Sequence, residues 1–505
     1  MKLQAAAVFS SDMVLQRETD VPLWGAAAPG AVVTAGLDPA GVTAEGTADA
    51  AGRWQLTLPA QPAGGPFTLM LRSEGDTQSF TGVYFGEVWL AGGQSNMELP
   101  LTGSRNGEAV LAACRDERLH FYATPKVTTT RAAEDASARW QVVGPDTAAE
   151  LSAVAYYAAR ELARALDVHV GILECFWGGT YAHCWLPRDL LAAIPEGRRR
   201  LEWYDARVGD KTDAQFEAEC IAYQKEVDAW NERIAARRAV EPDVSWTVLN
   251  EECGLYPWPP PAGRTGYQRP GNLYESMLRR VCPYALRGFW YYQGEQDEEW
   301  PADYETELTC LVRRWRADWQ DKEGRLPFLL VQLPMYATGV GAESWPTLRA
   351  AQAAVAGREP NAGLVVLADL GEADNIHPVD KEPVGRRLAL LALQTVYGLP
   401  VAGRAPRLTQ ADGAGEKAVL RFVDTGGGLH LQEGPSGFEL AGADGVFAPA
   451  SATAEGDTVT LHSLAVARPA FVRYAWYNYG PAALHGGTGL PAQPFGATPL
   501  THTGA

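Results

Sequence analysis

The sequence lacks any apolar run of about 18 residues, the length that a membrane-spanning helix requires. Its first residues, Met1 to Gln4, are not followed by the apolar core and small-residue cleavage site of a signal peptide. These two absences predict a protein that neither spans a membrane nor carries an export signal. We therefore expect a cytoplasmic location, with export after removal of a signal peptide as the alternative.

Paired cysteines and clustered basic residues are also missing. The seven cysteines include no Cys-x-x-Cys pair, so the sequence supports neither a zinc site nor a disulfide framework. The formal net charge is −18, and the densest basic run, Arg198–Arg200, is short. Nucleic acids and anionic membranes bind clustered Lys and Arg, so neither is an expected partner.

The chain does contain enough apolar material for several domains. It has 505 residues, of which 46% are hydrophobic, and this length suggests about three domains at about 100–200 residues each. Residues 1–85 show short alternating runs such as Arg53–Thr57 between Gly- and Pro-rich turns, a spacing typical of a small β-sandwich. Residues 401–505 return to this pattern, for example at Phe471–Trp476, and are predicted to be β-rich.

Between these regions, residues 86–400 alternate short apolar strands with helices. Val168–Leu173, Pro327–Leu333 and Leu364–Ala368 are continuous apolar runs separated by helix-like stretches. Such an alternation predicts a parallel sheet with helices on both faces. The predicted fold class is therefore α/β, with an N-terminal β-sandwich and a C-terminal β region added to it.

Residues 188–270 interrupt that alternation. Apolar side chains there repeat at spacings of 4, 3, 4, 3 and 4, which is typical of a helix that packs along a seam on a partner helix. They are Phe216, Cys220, Tyr223, Val227, Trp230 and Ile234. We interpret the segment as a helical insertion whose partner lies in the same chain, as in a hairpin. The alternative is a partner in a second subunit, which would make a homodimer.

Polar clusters follow several apolar strands of the α/β region, at the edge where open sheets bind their ligands. Gly92–Met97 places Ser95 on a tight turn directly after a strand. Gly178–Thr180 follows another strand, and glycine there lets a backbone N–H approach a ligand closely, as an oxyanion hole requires. Gln293–Glu295 follows a third strand and offers a side-chain amide. Taken alone, each cluster is also compatible with an ordinary turn or loop.

A further cluster, Asp374–Pro378, contains a candidate base. A serine hydroxyl needs a group that accepts its proton, and histidine, with an ordinary pKa near neutrality, suits this role, which makes His377 the candidate. An aspartate three residues before a histidine can hold the ring and stabilise its cation, which is the role expected of Asp374. Asp369 is a competing carboxylate for that role. The four clusters together contain every part that a serine esterase needs.

These motifs resemble the sialate O-acetylesterase family within the SGNH-type hydrolases, in the family's order and spacing. Flanking segments near both ends resemble it as well, so the likeness covers nearly the whole chain. It implies an SGNH-like parallel sheet flanked by helices. The segments that carry the resemblance are Met13–Gln16, Gly93–Met97, Gly178–Thr180 with Trp185, Trp290–Glu295, Leu348–Gln352, Asp374–Pro378 and Leu490–Phe495.

The resemblance implies a role for each matching residue. Ser95 is the expected nucleophile, His377 its general base, and Asp374 the residue that orients His377. The oxyanion hole is expected from the backbone N–H groups of Ser95 and Gly179 together with the side chain of Gln293. Such an acyl-enzyme mechanism requires neither a metal nor any other cofactor.

The resemblance also implies contacts with an acetylated carbohydrate. The residues expected to bind the substrate are Gln94, Asn96 and Glu295. The sequence departs from the family pattern at Gln296, where a small residue is common, and this bulkier side chain is expected to reshape the acyl pocket.

The sugar itself stays open at this stage. Sialic acid is the first expectation, and acetylated xylan or another polysaccharide is the alternative, since the motifs do not discriminate between them. Sialic acid carries a carboxylate, which a nearby arginine such as Arg473 or Arg105 would favour. A different class of function, a carbohydrate-binding module with an inert α/β domain, is disfavoured by the intact Ser, Asp and His.

Overall fold

A computed structural model describes residues 2–129, 138–321 and 323–502. The N-terminal region is built from short strands whose apolar residues alternate, as in Arg53–Leu58, where Trp54, Leu56 and Leu58 are buried. A three-stranded antiparallel sheet has the order β1-β3-β6, and β4 pairs with β5 and β7 in a second layer. The strands are β1 (Gln4–Ala5), β2 (Val14–Gln16), β3 (Val21–Ala26), β4 (Val32–Asp38), β5 (Val42–Thr47), β6 (Arg53–Leu58), β7 (Gly64–Ser73) and β8 (Asp76–Gly93).

The long strand β8 joins this region to the rest of the molecule. It is 18 residues long, antiparallel to β7 in its first part and parallel to the strands of the central sheet in its second. The predicted boundary between residues 85 and 86 thus falls inside one continuous strand. Apolar residues on both sides of the boundary belong to one core, so the two regions are packed as a unit.

The central sheet confirms the predicted α/β class. Its strand order is β10-β9-β11-β8-β12-β13-β14, and every neighbouring pair is parallel except β10 with β9. Helices pack on it in two pairs, α3 with α11 and α9 with α10. The elements are α1 (Ser95–Glu98), α2 (Gly107–Ala113), β9 (Leu119–Ala123), β10 (Trp140–Val142), α3 (Ala153–Leu166), β11 (Val170–Phe176), α4 (Arg188–Ala193), α5 (Pro195–Val208), α6 (Asp213–Val240), α7 (Trp246–Cys253), α8 (Arg279–Val281), β12 (Gly288–Tyr292), α9 (Pro301–Asp318), β13 (Phe328–Val331), α10 (Ser344–Arg358), β14 (Ala362–Val365) and α11 (Glu382–Thr395).

The segment 188–270 forms the helices α4 to α7. A capping box between Thr212 and Gln215 begins α6, and the seam side chains of this helix pack against the following part of the same segment. Trp230 stacks on Trp246 of α7 with ring centroids 6.1 Å apart, and Tyr223 Oη donates to the carbonyl oxygen of Pro257 at 2.9 Å. The seam therefore has a partner in its own chain, as in the hairpin interpretation, and a homodimer stays a prediction.

The C-terminal region consists of small antiparallel sheets, as its alternating pattern predicted. Two have four strands, in the orders β15-β16-β21-β20 and β19-β18-β22-β24, and β17 pairs with β23. None of the helices in the described ranges combines the length and apolar character that a membrane crossing needs. The strands are β15 (Arg407–Ala414), β16 (Lys417–Val423), β17 (Leu429–Leu431), β18 (Phe438–Ala441), β19 (Phe447–Pro449), β20 (Ser451–Glu455), β21 (Thr458–His462), β22 (Phe471–Tyr474), β23 (Leu484–Gly486) and β24 (Phe495–Pro499).

Candidate active site

Ser95 lies at the carboxyl edge of the central sheet, as the first residue of α1 and directly after the turn that follows β8. The turn passes very close to the neighbouring strand: a Cβ atom on Gly93, whose φ is +133°, would lie 2.0 Å from the carbonyl oxygen of Tyr292. Only glycine fits there. The backbone N–H of Gln94 then donates to the same carbonyl at 3.0 Å. The sequence thus fixes the serine at the end of the sheet, half-buried and facing the neighbouring loops.

His377 reaches Ser95 from the loop between β14 and α11. Its Nε2 lies 2.8 Å from the Oγ of Ser95, across a separation of 282 residues. Burial first, and then the nearby Lys381, lower the pKa of His377 to about 4. The imidazole is therefore neutral at neutral pH, and its Nε2 lone pair is free to accept the serine proton.

Asp374 does not contact the ring of His377 in this structure. Its exposed carboxylate accepts hydrogen bonds from Thr247, from the backbone N at 3.0 Å and from Oγ1 at 2.8 Å. These bonds lower the pKa of Asp374, so it is ionised at neutral pH. Nδ1 of His377 has no hydrogen-bond partner among the described residues.

Asp369, the competing carboxylate, is committed elsewhere. It accepts hydrogen bonds from Arg387 at 2.7 and 2.6 Å. Burial opposes its ionisation, but the nearby imidazole of His485, with Nε2 3.7 Å from Oδ2, and the hydrogen bonds from Arg387 outweigh burial and lower the pKa of Asp369 to about 2. A carboxylate so firmly paired is not available to His377.

Two backbone N–H groups beside Ser95 are suited to an oxyanion. Neither Ser95 N nor Gly179 N has a hydrogen-bond partner among the described residues. The loop that carries Gly179 is fixed to the serine turn, because Glu98 of α1 accepts from the N–H of Gly178 at 2.5 Å. Gly179 has φ +68°, and a Cβ atom there would lie 2.6 Å from Cη2 of Trp258. A glycine is required at this position on both counts.

The side-chain amide of Gln293 is engaged within the protein. Its buried Nε2 faces three acceptors of the protein: Asp297 Oδ2 at 2.6 Å, the carbonyl oxygen of Thr180 at 3.1 Å, and Gln94 Oε1 at 3.2 Å. An amide nitrogen has two hydrogens, so none is left for a substrate. Direct donation by Gln293 to the oxyanion stays a prediction, and it requires that one of these bonds be given up.

Gln94, directly before Ser95 in the chain, offers a second side-chain amide. Its Oε1 also accepts from the backbone N–H groups of Gly294 and Gln296, both at 3.2 Å. Three donors on one oxygen fix the orientation of the amide, and Nε2 of Gln94 keeps no partner among the residues that the structure describes. That group is free for a substrate, in line with the predicted role of Gln94.

Asn96 and Glu295, which were predicted to contact the substrate, are engaged with each other in this structure, so that contact stays a prediction. Both are buried, and Asn96 Nδ2 donates to Glu295 Oε1 at 2.5 Å and to the carbonyl oxygen of Ile376 at 2.9 Å. Lys381 donates to Asn96 Oδ1 at 2.5 Å. Burial raises the pKa of Glu295 to about 7 and lowers that of Lys381 to about 7. This buried network joins α1, which carries Ser95, to the loop that carries His377.

One buried cluster among the described residues has the ligand types of a metal site. His183, Asp297 and Glu307 each place one ligand atom within 4.8 Å of the others. The buried guanidinium of Arg200 already occupies this cluster, with Nε donating to Glu307 Oε1 at 2.8 Å. Asp297 also accepts from the backbone N–H of Ala182 at 3.0 Å. The cluster thus supports the loop that follows Gly179, with Arg200 as the positive charge.

The insertion supplies parts of the site that sequence reasoning missed. Thr247 holds Asp374, Trp258 covers Gly179, and Tyr267 stacks on Trp177 with ring centroids 5.0 Å apart. The seam in α6 predicted a packed helix but gave no signal for these contacts. Lys381 was missed as well, although it lies only four residues after His377.

Comparisons with known proteins identify carbohydrate esterases as relatives of the chain. A profile of the family described as carbohydrate esterase, sialic acid-specific acetylesterase, matches residues 261–394. A crystal structure of a carbohydrate acetylesterase from Xanthomonas citri is 31% identical, with a TM-score of 0.77, over 97% of this chain and 98% of that one. Sialate O-acetylesterase of Rattus norvegicus is 26% identical over 99% of this chain and 95% of its own length. That of Mus musculus is 27% identical over 78% and 73%.

Proposed function

The chain belongs to the sialate O-acetylesterase family of carbohydrate esterases, and we propose that it removes O-acetyl groups from carbohydrates with Ser95 as nucleophile and His377 as general base. The observation that carries this proposal is the 2.8 Å contact between Ser95 Oγ and His377 Nε2. It joins a nucleophile and a neutral base at the edge of the sheet where ligands bind.

The reaction proceeds in two steps. Ser95 Oγ attacks the acetyl carbonyl carbon while Nε2 of His377 takes the hydroxyl proton. The C–O bond to the sugar then breaks, and the leaving alcohol takes that proton from His377. A water molecule attacks the acetyl-serine ester with the same histidine as base, which releases acetate and restores Ser95.

The oxyanion of each tetrahedral intermediate needs preorganised donors. We assign the backbone N–H groups of Ser95 and Gly179 to this role, together with Nε2 of Gln94. Gln293 is then a positioning residue, because it holds the side chain of Gln94 and the carbonyl group of Thr180 in place.

This assignment predicts that Gln94→Ala lowers kcat by about 10²–10³ with little change in KM, the loss typical of one oxyanion donor. The measurement is steady-state acetate release. Gln410→Ala, an exposed glutamine of β15, is the matched control, and its kcat should stay within a few fold of the wild type. Normal kcat in Gln94→Ala, alongside a large loss in Gln293→Ala, would return the donor role to Gln293.

We further propose that Asp374 stabilises the imidazolium of His377 during the reaction. Nδ1 of His377 would carry a proton without a partner in the described structure, and Asp374 is an ionised carboxylate three residues away on the same loop. Catalytic hydrogen bonds are often formed only once substrate is bound. Asp374 would then exchange its hydrogen bonds from Thr247 for one from Nδ1 of His377.

For the substrate, we propose an O-acetylated sialic acid first. Arg105 favours it over a neutral sugar, because its backbone N–H donates to the carbonyl of Val379, two residues after His377. Its side chain is 59% exposed and is only loosely paired, with Nε 3.5 Å from Oδ2 of Asp380. Arg473 is held more closely, with Nε donating to Glu439 at 2.7 Å, and is only 21% exposed. Acetylated xylan is the alternative. A mere binding module is disfavoured, since it has no need of the Ser95–His377 contact.

The test is acetate release from O-acetylated sialic acids beside acetylated xylo-oligosaccharides. We expect the higher kcat/KM with the sialic acids, and we expect Arg105→Ala to lower it for them by about tenfold while the xylan fragments keep theirs. An exposed ion pair contributes about 1 kcal/mol or somewhat more when it fixes a ligand, which corresponds to this factor. Faster release from xylo-oligosaccharides would select the alternative, and binding without any release would select the binding module.

A further inference from the structure

The insertion exposes an aromatic strip in a protein that otherwise covers its tryptophans. The chain has sixteen tryptophans, and fifteen are buried or partly buried. Trp258 is the exception with 44% exposure, and its neighbours Tyr256 and Leu255 are 41% and 76% exposed. Exposed apolar side chains that lie next to one another, rather than singly, are a feature of ligand grooves and interaction sites.

The strip begins beside the reacting centre. A Cβ atom on Gly179 would meet Cη2 of Trp258 at 2.6 Å, and one on Gly178 would meet Cβ of Ser95 at 3.2 Å. Consecutive Cα atoms lie about 3.8 Å apart. Gly178 therefore neighbours the nucleophile, and the next residue, Gly179, neighbours the edge of the indole.

The strip is also held in place by the body of the insertion. Trp230 Nε1 donates to the carbonyl of Gly254 at 2.8 Å, and Tyr223 Oη donates to that of Pro257 at 2.9 Å. Tyr256 packs edge-on against Trp230 with ring centroids 5.1 Å apart at 89°. A ligand that meets these rings does not have to order them first, which favours binding.

We propose that Trp258, extended by Tyr256, is a platform on which a pyranose ring of the substrate stacks while its acetyl group lies at Ser95. The C–H faces of a pyranose ring pack on aromatic faces, and its hydroxyls stay at the rim where water or polar groups reach them. The indole lies against Gly179, so a sugar whose acetyl group is at Ser95 is the ligand that would meet it. The inference rests on the proposed function and adds the residues that recognise the ring itself.

The experiment measures how fast the protein and its variants hydrolyse two acetate esters. One is the acetylated sugar that the wild type hydrolyses best, and the other is triacetin, a polyol acetate without a ring. We expect Trp258→Ala to lower kcat/KM for the sugar about tenfold, mainly through KM, in keeping with the apolar area that one stacked ring buries. Triacetin hydrolysis should stay within about twofold. Trp258→Phe should keep most of the activity on the sugar, and Leu464→Ala, at 98% exposure, is the surface control.

Each other outcome overturns the platform. Equal losses on both esters would mean that Trp258 only supports the Gly179 loop. Unchanged activity on both would mean that the strip faces something other than the substrate, such as another protein. If the wild type released acetate from triacetin but from no acetylated sugar, both the platform and the proposed function would be wrong. Equal losses on both esters would overturn the platform and leave the proposed function intact.

Discussion

Ser95→Ala is expected to lower kcat by about 10⁴–10⁶, close to complete loss, because the acyl-enzyme route then has no nucleophile. His377→Ala is expected to cost nearly as much, and the double variant no more than either alone, since the two residues act as one unit. Acetate release under single-turnover conditions measures this, with the folded state checked by thermal unfolding. Ser451→Ala, an exposed serine of β20, should keep wild-type kcat.

The pH profile of the wild type provides an independent readout of the same pair. The base must be neutral to act, and burial and Lys381 lower the pKa of His377 to about 4. We therefore expect kcat/KM to stay high down to about pH 5 and to fall tenfold per pH unit below about pH 4. An acid limb near 6.5, the ordinary value for histidine, or substantial activity in Ser95→Ala would contradict the assignment.

The sequence predicted the convergence of the site because it follows from topology. Four clusters at the carboxyl ends of parallel strands must meet at one edge, and Ser95 and His377 do so across 282 residues. Amphipathic periodicity also predicted the insertion and its internal partner. The continuity of β8 across residues 85 and 86 was not predictable in this way, since pairing with two different sheets leaves no break in the apolar pattern.

Side-chain partners were harder to predict than positions. Asn96 and Glu295 lie in motifs of the site. Whether a polar side chain in such a motif points toward the ligand or into the protein depends on the local backbone conformation, which the motif does not specify. Here they face each other and Lys381 beneath the site. Gln293 faces Asp297 and Thr180 for the same reason. The contacts of Trp258 and Thr247 depend on how the insertion docks, which local sequence does not encode.

The largest effect outside the Ser–His pair is expected at Asp374, where two variants separate two roles. If Asp374 stabilises the His377 cation, Asp374→Asn should lower kcat by about 10²–10⁴, as removal of the carboxylate does in serine hydrolases. Thr247→Ala removes the hydroxyl that competes for the same carboxylate, so its kcat should equal or exceed that of the wild type. KM should change little in both.

The opposite pattern would identify Asp374 as an anchor for the insertion. In that case Asp374→Asn and Thr247→Ala would lose activity to a similar, modest extent, and the double variant would lose no more, because both break the same contact between the His377 loop and α7. Thermal unfolding would then fall in both variants. A selective loss of kcat in Asp374→Asn with normal stability fits only the first role, since an exposed carboxylate that merely anchored a helix would not act on the chemical step.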